Sequence, residues 1–158
     1  MRLNLASGGT RFPGYISVDL HGGDVKCDIL ALPKEWAGKA DEVMCIHGLE
    51  HLAFYQTQDA LLEWKRVLKP GGKLVIEVPN LKEACRNFLL NPGKLNRGLH
   101  CIYGDQDYAN IEAVHKSGWT PETLIDALTM AGFRNCAQRP AEHKRKEPRD
   151  FRVEAYKP

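Results

Sequence analysis

Two short apolar strands, divided by a glycine turn and closed by an acid, fill the first nineteen residues and fix much of what can follow. Leu3-Asn4-Leu5-Ala6 runs into Ser7-Gly8-Gly9, and Tyr15-Ile16-Ser17-Val18 ends on Asp19. Glycine at the carboxyl end of a strand lets a ligand approach bare backbone, and a carboxylate at the tip of the next strand can accept hydrogen bonds from both hydroxyls of a ribose. The pattern predicts a crevice for a nucleoside.

A length of 158 residues, 43% of them hydrophobic, is enough for one domain with a real core. The net charge of +2 shows no bias toward nucleic acid, membrane or acidic substrates, so nucleic acid is not an expected partner. No apolar run approaches the length that spans a bilayer, and Met1-Arg2-Leu3-Asn4 lacks the apolar core of a signal peptide. A cytoplasmic protein with no membrane contact is expected. The five scattered cysteines include no Cys-x-x-Cys pair, and reduced, mostly buried thiols are expected.

Glu42–Ile46 and Lys73–Val78 are continuous apolar runs of the kind that form central strands covered on both faces. Between them the spacing predicts a helix capped by Thr57, with Ala60, Leu61, Trp64, Val67 and Leu68 on one face, stopped by Lys69-Pro70-Gly71-Gly72. Strand, helix and strand at this spacing make a right-handed parallel crossover. Asn80 begins a second helix with Glu83 as its capping-box partner and a buried stripe of Ala84, Cys85, Phe88 and Leu89, ended by Asn91-Pro92-Gly93. Residues 94–118, with His100, Tyr103, Tyr108 and His115, are irregular, and either a functional lid or disorder fits them. Thr120 caps a further helix with Pro121 at its first position, ended by Gly132-Phe133. Residues 135–138 and 151–156 predict an antiparallel edge hairpin, joined by the basic run 143–149, which is read as a solvated loop.

In this order the motifs resemble the class I S-adenosylmethionine-dependent methyltransferases, in particular the small members of the methyltransferase type 11 group, over nearly the whole chain. The residues that carry the resemblance are the 3–9 turn, Val18-Asp19-Leu20, Cys27-Asp28-Ile29-Leu30-Ala31-Leu32-Pro33, His47-Gly48-Leu49-Glu50-His51-Leu52 and the stretch 63–74. The resemblance implies a single domain over residues 1–158 that uses S-adenosylmethionine as cofactor. Ala6, Ser7, Gly8 and Gly9 would meet its methionine part, Asp19 and Leu20 its ribose, Asp28 and Ile29 its adenine, and His47 would lie near its sulfur. Ala6 stands where the family has its first glycine. Only residues 7–14 separate the first two strands and only 21–25 follow Asp19, too few for a parallel crossover. The expected fold is therefore α/β: a reduced Rossmann-like methyltransferase fold with a mostly parallel central sheet, an antiparallel C-terminal edge hairpin and no helices after the first two strands. Alternation of Leu3 and Leu5 with Arg2 and Asn4 predicts that this half is exposed on one face, where a second subunit of a homodimer or residues 94–118 would cover it.

Methyl transfer to a hydroxyl needs alignment in a dry pocket and a base, and histidine titrates in the right range. His47, His51 with Glu50 beside it, and His115 are the catalytic candidates; simple pairing at a helix start is the competing account of Glu50 and His51. The string His47-x-x-Glu50-His51 is similar to the Glu-x-x-Glu-His site of some magnesium-dependent O-methyltransferases. Imidazole in place of the first carboxylate argues against magnesium, so no metal is expected, with a softer ion as the lesser alternative. The expected acceptor is a small molecule or a sugar hydroxyl. A nicotinamide oxidoreductase is disfavoured because Gly-x-Gly-x-x-Gly is absent, and a non-catalytic partner protein of the same fold is the second alternative.

Overall fold

The computed structural model describes residues 1–91, 99–106, 111–143 and 149–158. Its strands are β1 (Arg2–Leu5), β2 (Ile16–Asp19), β3 (Val25–Lys26), β4 (Ala40–Ile46), β5 (Leu68–Pro79), β6 (Arg134–Arg139) and β7 (Asp150–Tyr156). They form one sheet in the order β3-β2-β1-β4-β5-β7-β6. The first five run parallel, and β7 is antiparallel to both β5 and β6, so the edge hairpin is as expected. The hairpin carries a register shift between Arg134 and Ala137, where Asn135 takes a φ of +53°. The helices are α1 (Phe54–Val67), α2 (Leu81–Leu90), α3 (Leu99–Tyr103) and α4 (Pro121–Met130).

Helices α1 and α4 lay Ala60, Leu61, Trp64, Val67, Leu124 and Leu128 on one face of the sheet, against Leu3, Leu5, Val18, Val43, Cys45, Leu74, Ile76 and Val153. No helix follows β1 or β2, and a single 3-10 turn, Lys34–Trp36, precedes β4. The opposite face is nevertheless not open, which corrects the expectation from alternation: Asn4 and Ser17 are only 2% and 1% exposed. The β1–β2 loop folds over them. Phe12 and Tyr15 pack on Met44, Ile46 and Val75, the Asn4 amide donates to the Thr10 carbonyl at 3.0 Å, and the His143 ring lies tilted against Phe12 at 4.7 Å.

Beside that small cluster the second face is ionic. Lys73 lies 3.3 Å from Glu42 and 3.8 Å from Glu154. Arg152 reaches Glu154 at 2.8 Å, Glu142 at 2.6 Å and the fully buried Glu77 at 3.3 Å. Glu77 also accepts the N–H groups of Glu142 and His143. Burial and then Glu42 push the Tyr15 phenol up to about 12.

Three local expectations need correction. Helix α1 begins at Phe54, and Thr57 is a buried residue within it. The Gln56 side chain accepts the Ala53 N–H at 3.1 Å and so starts the helix from its third position. Lys69-Pro70-Gly71-Gly72 is already part of β5, which starts directly after Val67; a register shift opposite residues 40–42 and a φ of +73° at Gly71 absorb the bend. In α2 only Ala84 of the expected stripe is buried, because the helix packs on the short α3 while Cys85, Phe88 and Leu89 face outward. Of the five cysteines only Cys45 is buried. Asn80 and Thr120 cap α2 and α4 as expected, by accepting the N–H groups of Glu83 and Thr123. Tyr108, residues 92–98 and 144–148 of the basic run lie outside the described residues.

Candidate functional site

A crevice of about 1000 Å³ opens at the carboxyl ends of β1, β2 and β4, where an open parallel sheet binds its ligands. Ala6, Ser7, Gly8, Gly9, Asp19, Leu20, Asp28, Ile29 and His47 all line it. Gly8 and Gly9 sit at φ of +51° and +86°, and a Cβ on either would meet nothing, so the turn presents bare backbone to open space. Asp19 is fixed by two backbone donors, Gly8 N–H to Oδ2 at 2.9 Å and His21 N–H to Oδ1 at 3.0 Å. A carboxylate oxygen can accept more than one hydrogen bond, so each retains capacity for a ligand in the crevice that Asp19 lines. Asp28 accepts the Leu30 N–H at 2.9 Å, and the buried Trp64 indole donates to the Ile29 carbonyl at 3.0 Å, so the helix core holds this loop in place.

Ala6 adopts a left-handed φ of +50°, a conformation glycine takes without cost. Its methyl fits because Gly48 has none: a Cβ there would lie 2.6 Å from the Ala6 Cβ and 2.7 Å from the Cys45 sulfur. Gly48→Ala is expected to cost about 1–3 kcal/mol by overpacking, read as a lowered midpoint in thermal denaturation. An unchanged midpoint would mean that the turn yields freely.

At the other end the structure brings His47, Glu50, His51 and His115 together. His47, at φ +54°, places Nε2 2.8 Å from the buried Asp150 carboxylate and Nδ1 3.0 Å from Glu50. Burial works against a charge on this ring, but the hydrogen bond to Asp150 and the nearness of Glu50 outweigh it and lift the imidazole to about 9. His47 is thus an imidazolium at neutral pH with both nitrogens occupied, suited to positioning and poor as a proton acceptor. The His51 and His115 rings meet edge to face at 5.0 Å, and burial lowers the His115 imidazole so that it is neutral at pH 7.

The described part of 94–118 walls this end of the crevice through His100, Asp105, Glu112, Ala113, His115 and Lys116. His21, just past β2, meets Glu112 at 2.6 Å, and the Lys116 N–H donates to the Glu50 carbonyl at 2.8 Å. Sequence reasoning missed Asp150 and the His21–Glu112 contact. Asp150 is 103 residues from its partner His47, and no local pattern signals such a pair.

The sequence matches a family described as a methyltransferase domain over residues 11–76. Among solved structures, an S-adenosylmethionine-dependent methyltransferase from Archaeoglobus fulgidus is 19% identical, with a TM-score of 0.63 over 99% of this chain and 85% of that one. The 1,6-didemethyltoxoflavin-N1-methyltransferase of Burkholderia thailandensis, bound to 1,6-didemethyltoxoflavin and S-adenosylhomocysteine, is 16% identical, with a TM-score of 0.66 over 99% of this chain and 70% of that one. A protein from Pyrococcus horikoshii OT3 is 18% identical, with a TM-score of 0.68 over 99% and 81%. No curated protein sequence matches the chain. Among the described residues no helix is long and apolar enough to cross a membrane.

Proposed function

We propose that this chain, which shares its fold with S-adenosylmethionine-dependent methyltransferases and matches a methyltransferase domain over residues 11–76, is such an enzyme and methylates a hydroxyl of a small molecule or sugar. One observation carries the reading: a single crevice has a nucleoside-ready end at Gly8, Gly9, Asp19 and Asp28 and an acceptor end at Glu50, His51 and His115. Its volume is at the top of the range for small-molecule sites, roughly 300–1000 Å³, which leaves space for an acceptor beside the cofactor.

The residues present fit S-adenosylmethionine. The open glycine turn takes its amino-acid part, the paired oxygens of Asp19 take the ribose hydroxyls, and Asp28 with Ile29 takes the adenine edge and face. The cofactor supplies a sulfonium methyl group, which an oxygen lone pair displaces in line while the C–S electron pair stays on sulfur. The protein's task is alignment and exclusion of water. His47, charged between Asp150 and Glu50, holds the floor of the site, and the cluster of Glu50, His51 and His115 assists loss of the hydroxyl proton. The segment around Glu112 and His115 acts as the acceptor-side wall.

Calorimetric titration tests the cofactor half of the reading. S-adenosylhomocysteine is expected to bind one per chain and NAD not at all. Absence of heat with S-adenosylhomocysteine on folded protein would overturn it. Transfer of labelled methyl from S-adenosylmethionine to a panel of sugars and small alcohols tests the acceptor half, and incorporation only into amines would overturn that.

A further inference from the structure

We propose that Glu50, His51 and His115 bind one divalent first-row transition-metal ion at the acceptor end of the crevice. One carboxylate oxygen and one ring nitrogen from each imidazole lie within 4.8 Å of one another. Both rings are held with a nitrogen to spare: Nδ1 of His51 faces the Val114 carbonyl at 3.2 Å, and Nδ1 of His115 faces the Cys101 carbonyl at 3.0 Å. Donation from Nδ1 leaves the lone pair on Nε2, and metal-binding histidines almost always commit the other ring N–H in this way.

Glu50 supplies an independent sign. It is 1% exposed and pairs through Oε1 with the His47 imidazolium at 3.0 Å, which Asp150 shares, while Oε2 has no hydrogen-bond partner among the described residues. A buried carboxylate oxygen without a partner is costly, and a cation bound between it and the two imidazoles satisfies it. The Lys116 and Ser117 N–H groups both donate to the Glu50 carbonyl, at 2.8 and 3.1 Å, and so tie the segment carrying His115 to the turn carrying Glu50 and His51.

Two imidazoles and one carboxylate suit zinc, iron(II) or cobalt(II), whereas magnesium and calcium prefer oxygen alone. Bonds of about 2.1 Å bring ligand atoms to about 3.0–3.4 Å apart, so the side-chain ends need draw in by about 1 Å. Three protein ligands leave positions open toward the crevice. An acceptor oxygen held there gives up its proton to solvent more readily, which favours oxygen over nitrogen acceptors. This role, unlike the binding, rests on the methyltransferase reading.

Zn²⁺ titrated calorimetrically into chelator-stripped protein is expected to bind one per chain, and Co²⁺ to give a visible absorption band. His115→Ala and Glu50→Gln should each weaken Zn²⁺ at least about tenfold while S-adenosylhomocysteine affinity stays within about twofold. Should a variant fail to fold, Co²⁺ added to the unaltered protein must shift the imidazole proton resonances of His51 and His115. No saturable Zn²⁺ binding, equal binding in the variants, or unshifted His51 and His115 resonances would overturn the site. Metal failure with S-adenosylhomocysteine still binding refutes this inference alone, and the reverse refutes the enzymatic reading alone.

Discussion

Asp19→Ala is expected to weaken S-adenosylhomocysteine by about 100-fold or more, with little change in thermal midpoint. In the proposed binding mode the carboxylate would offer the ribose two charge-assisted hydrogen bonds, each contributing about 1.5–3 kcal/mol, and a tenfold change in affinity is about 1.4 kcal/mol. It also holds the glycine turn through the Gly8 N–H, so its loss loosens the neighbouring wall of the crevice. The folding cost is small because Asp19 is half-buried at a strand tip rather than in the core. Asp19→Asn should fall between: one oxygen remains, but the amide group that replaces the other confronts the Gly8 or the His21 N–H with a second donor. Wild-type affinity in Asp19→Ala, measured by calorimetry, would remove the nucleoside from this crevice.

Arg152→Ala is expected to lower stability by about 3–5 kcal/mol, the range for breaking one side of a buried charge pair. The guanidinium is buried among Glu77, Glu142 and Glu154, and Glu77 has no exposure at all. Without Arg152, the Glu77 carboxylate keeps, among the described residues, the N–H groups of residues 142 and 143. At about 2–4 °C per kcal/mol for a chain of this size, the thermal midpoint should drop by about 6 °C or more. Arg152→Met with Glu77→Gln should recover part of that loss, because it removes the stranded charge. A midpoint within a degree of wild type for Arg152→Ala would show that the second face does not depend on the network.

What the sequence made legible was whatever is written locally. The 42–78 crossover, the Thr120-Pro121 helix start and the edge hairpin each follow from spacing within a few residues, and each is present. The missing helices followed from the shortness of the 7–14 and 21–25 connections. The second face was misread because polar alternation in β1 and β2 was equated with solvent, whereas Phe12 and Tyr15 return from the loop onto Met44, Ile46 and Val75, and Asn4 and Ser17 are buried. The site divides along the same line. Asp19, Glu50 and His51 stand in readable strings, but the Asp150 clasp on His47 and the approach of His115 to Glu50 join residues 103 and 65 positions apart, which only the folded chain brings together.

The bulged outer strand β6 bears on behaviour at high concentration. An exposed strand edge is a template on which further chains can add and grow into aggregates. Here Arg134 and Arg139 put like charge along that border, and the left-handed Asn135 breaks its regular pairing pattern. At the far border β3 is only two residues long, too short to seat an incoming strand. A sheet without helices after its first two strands thereby carries, at both margins, features that oppose the addition of further strands.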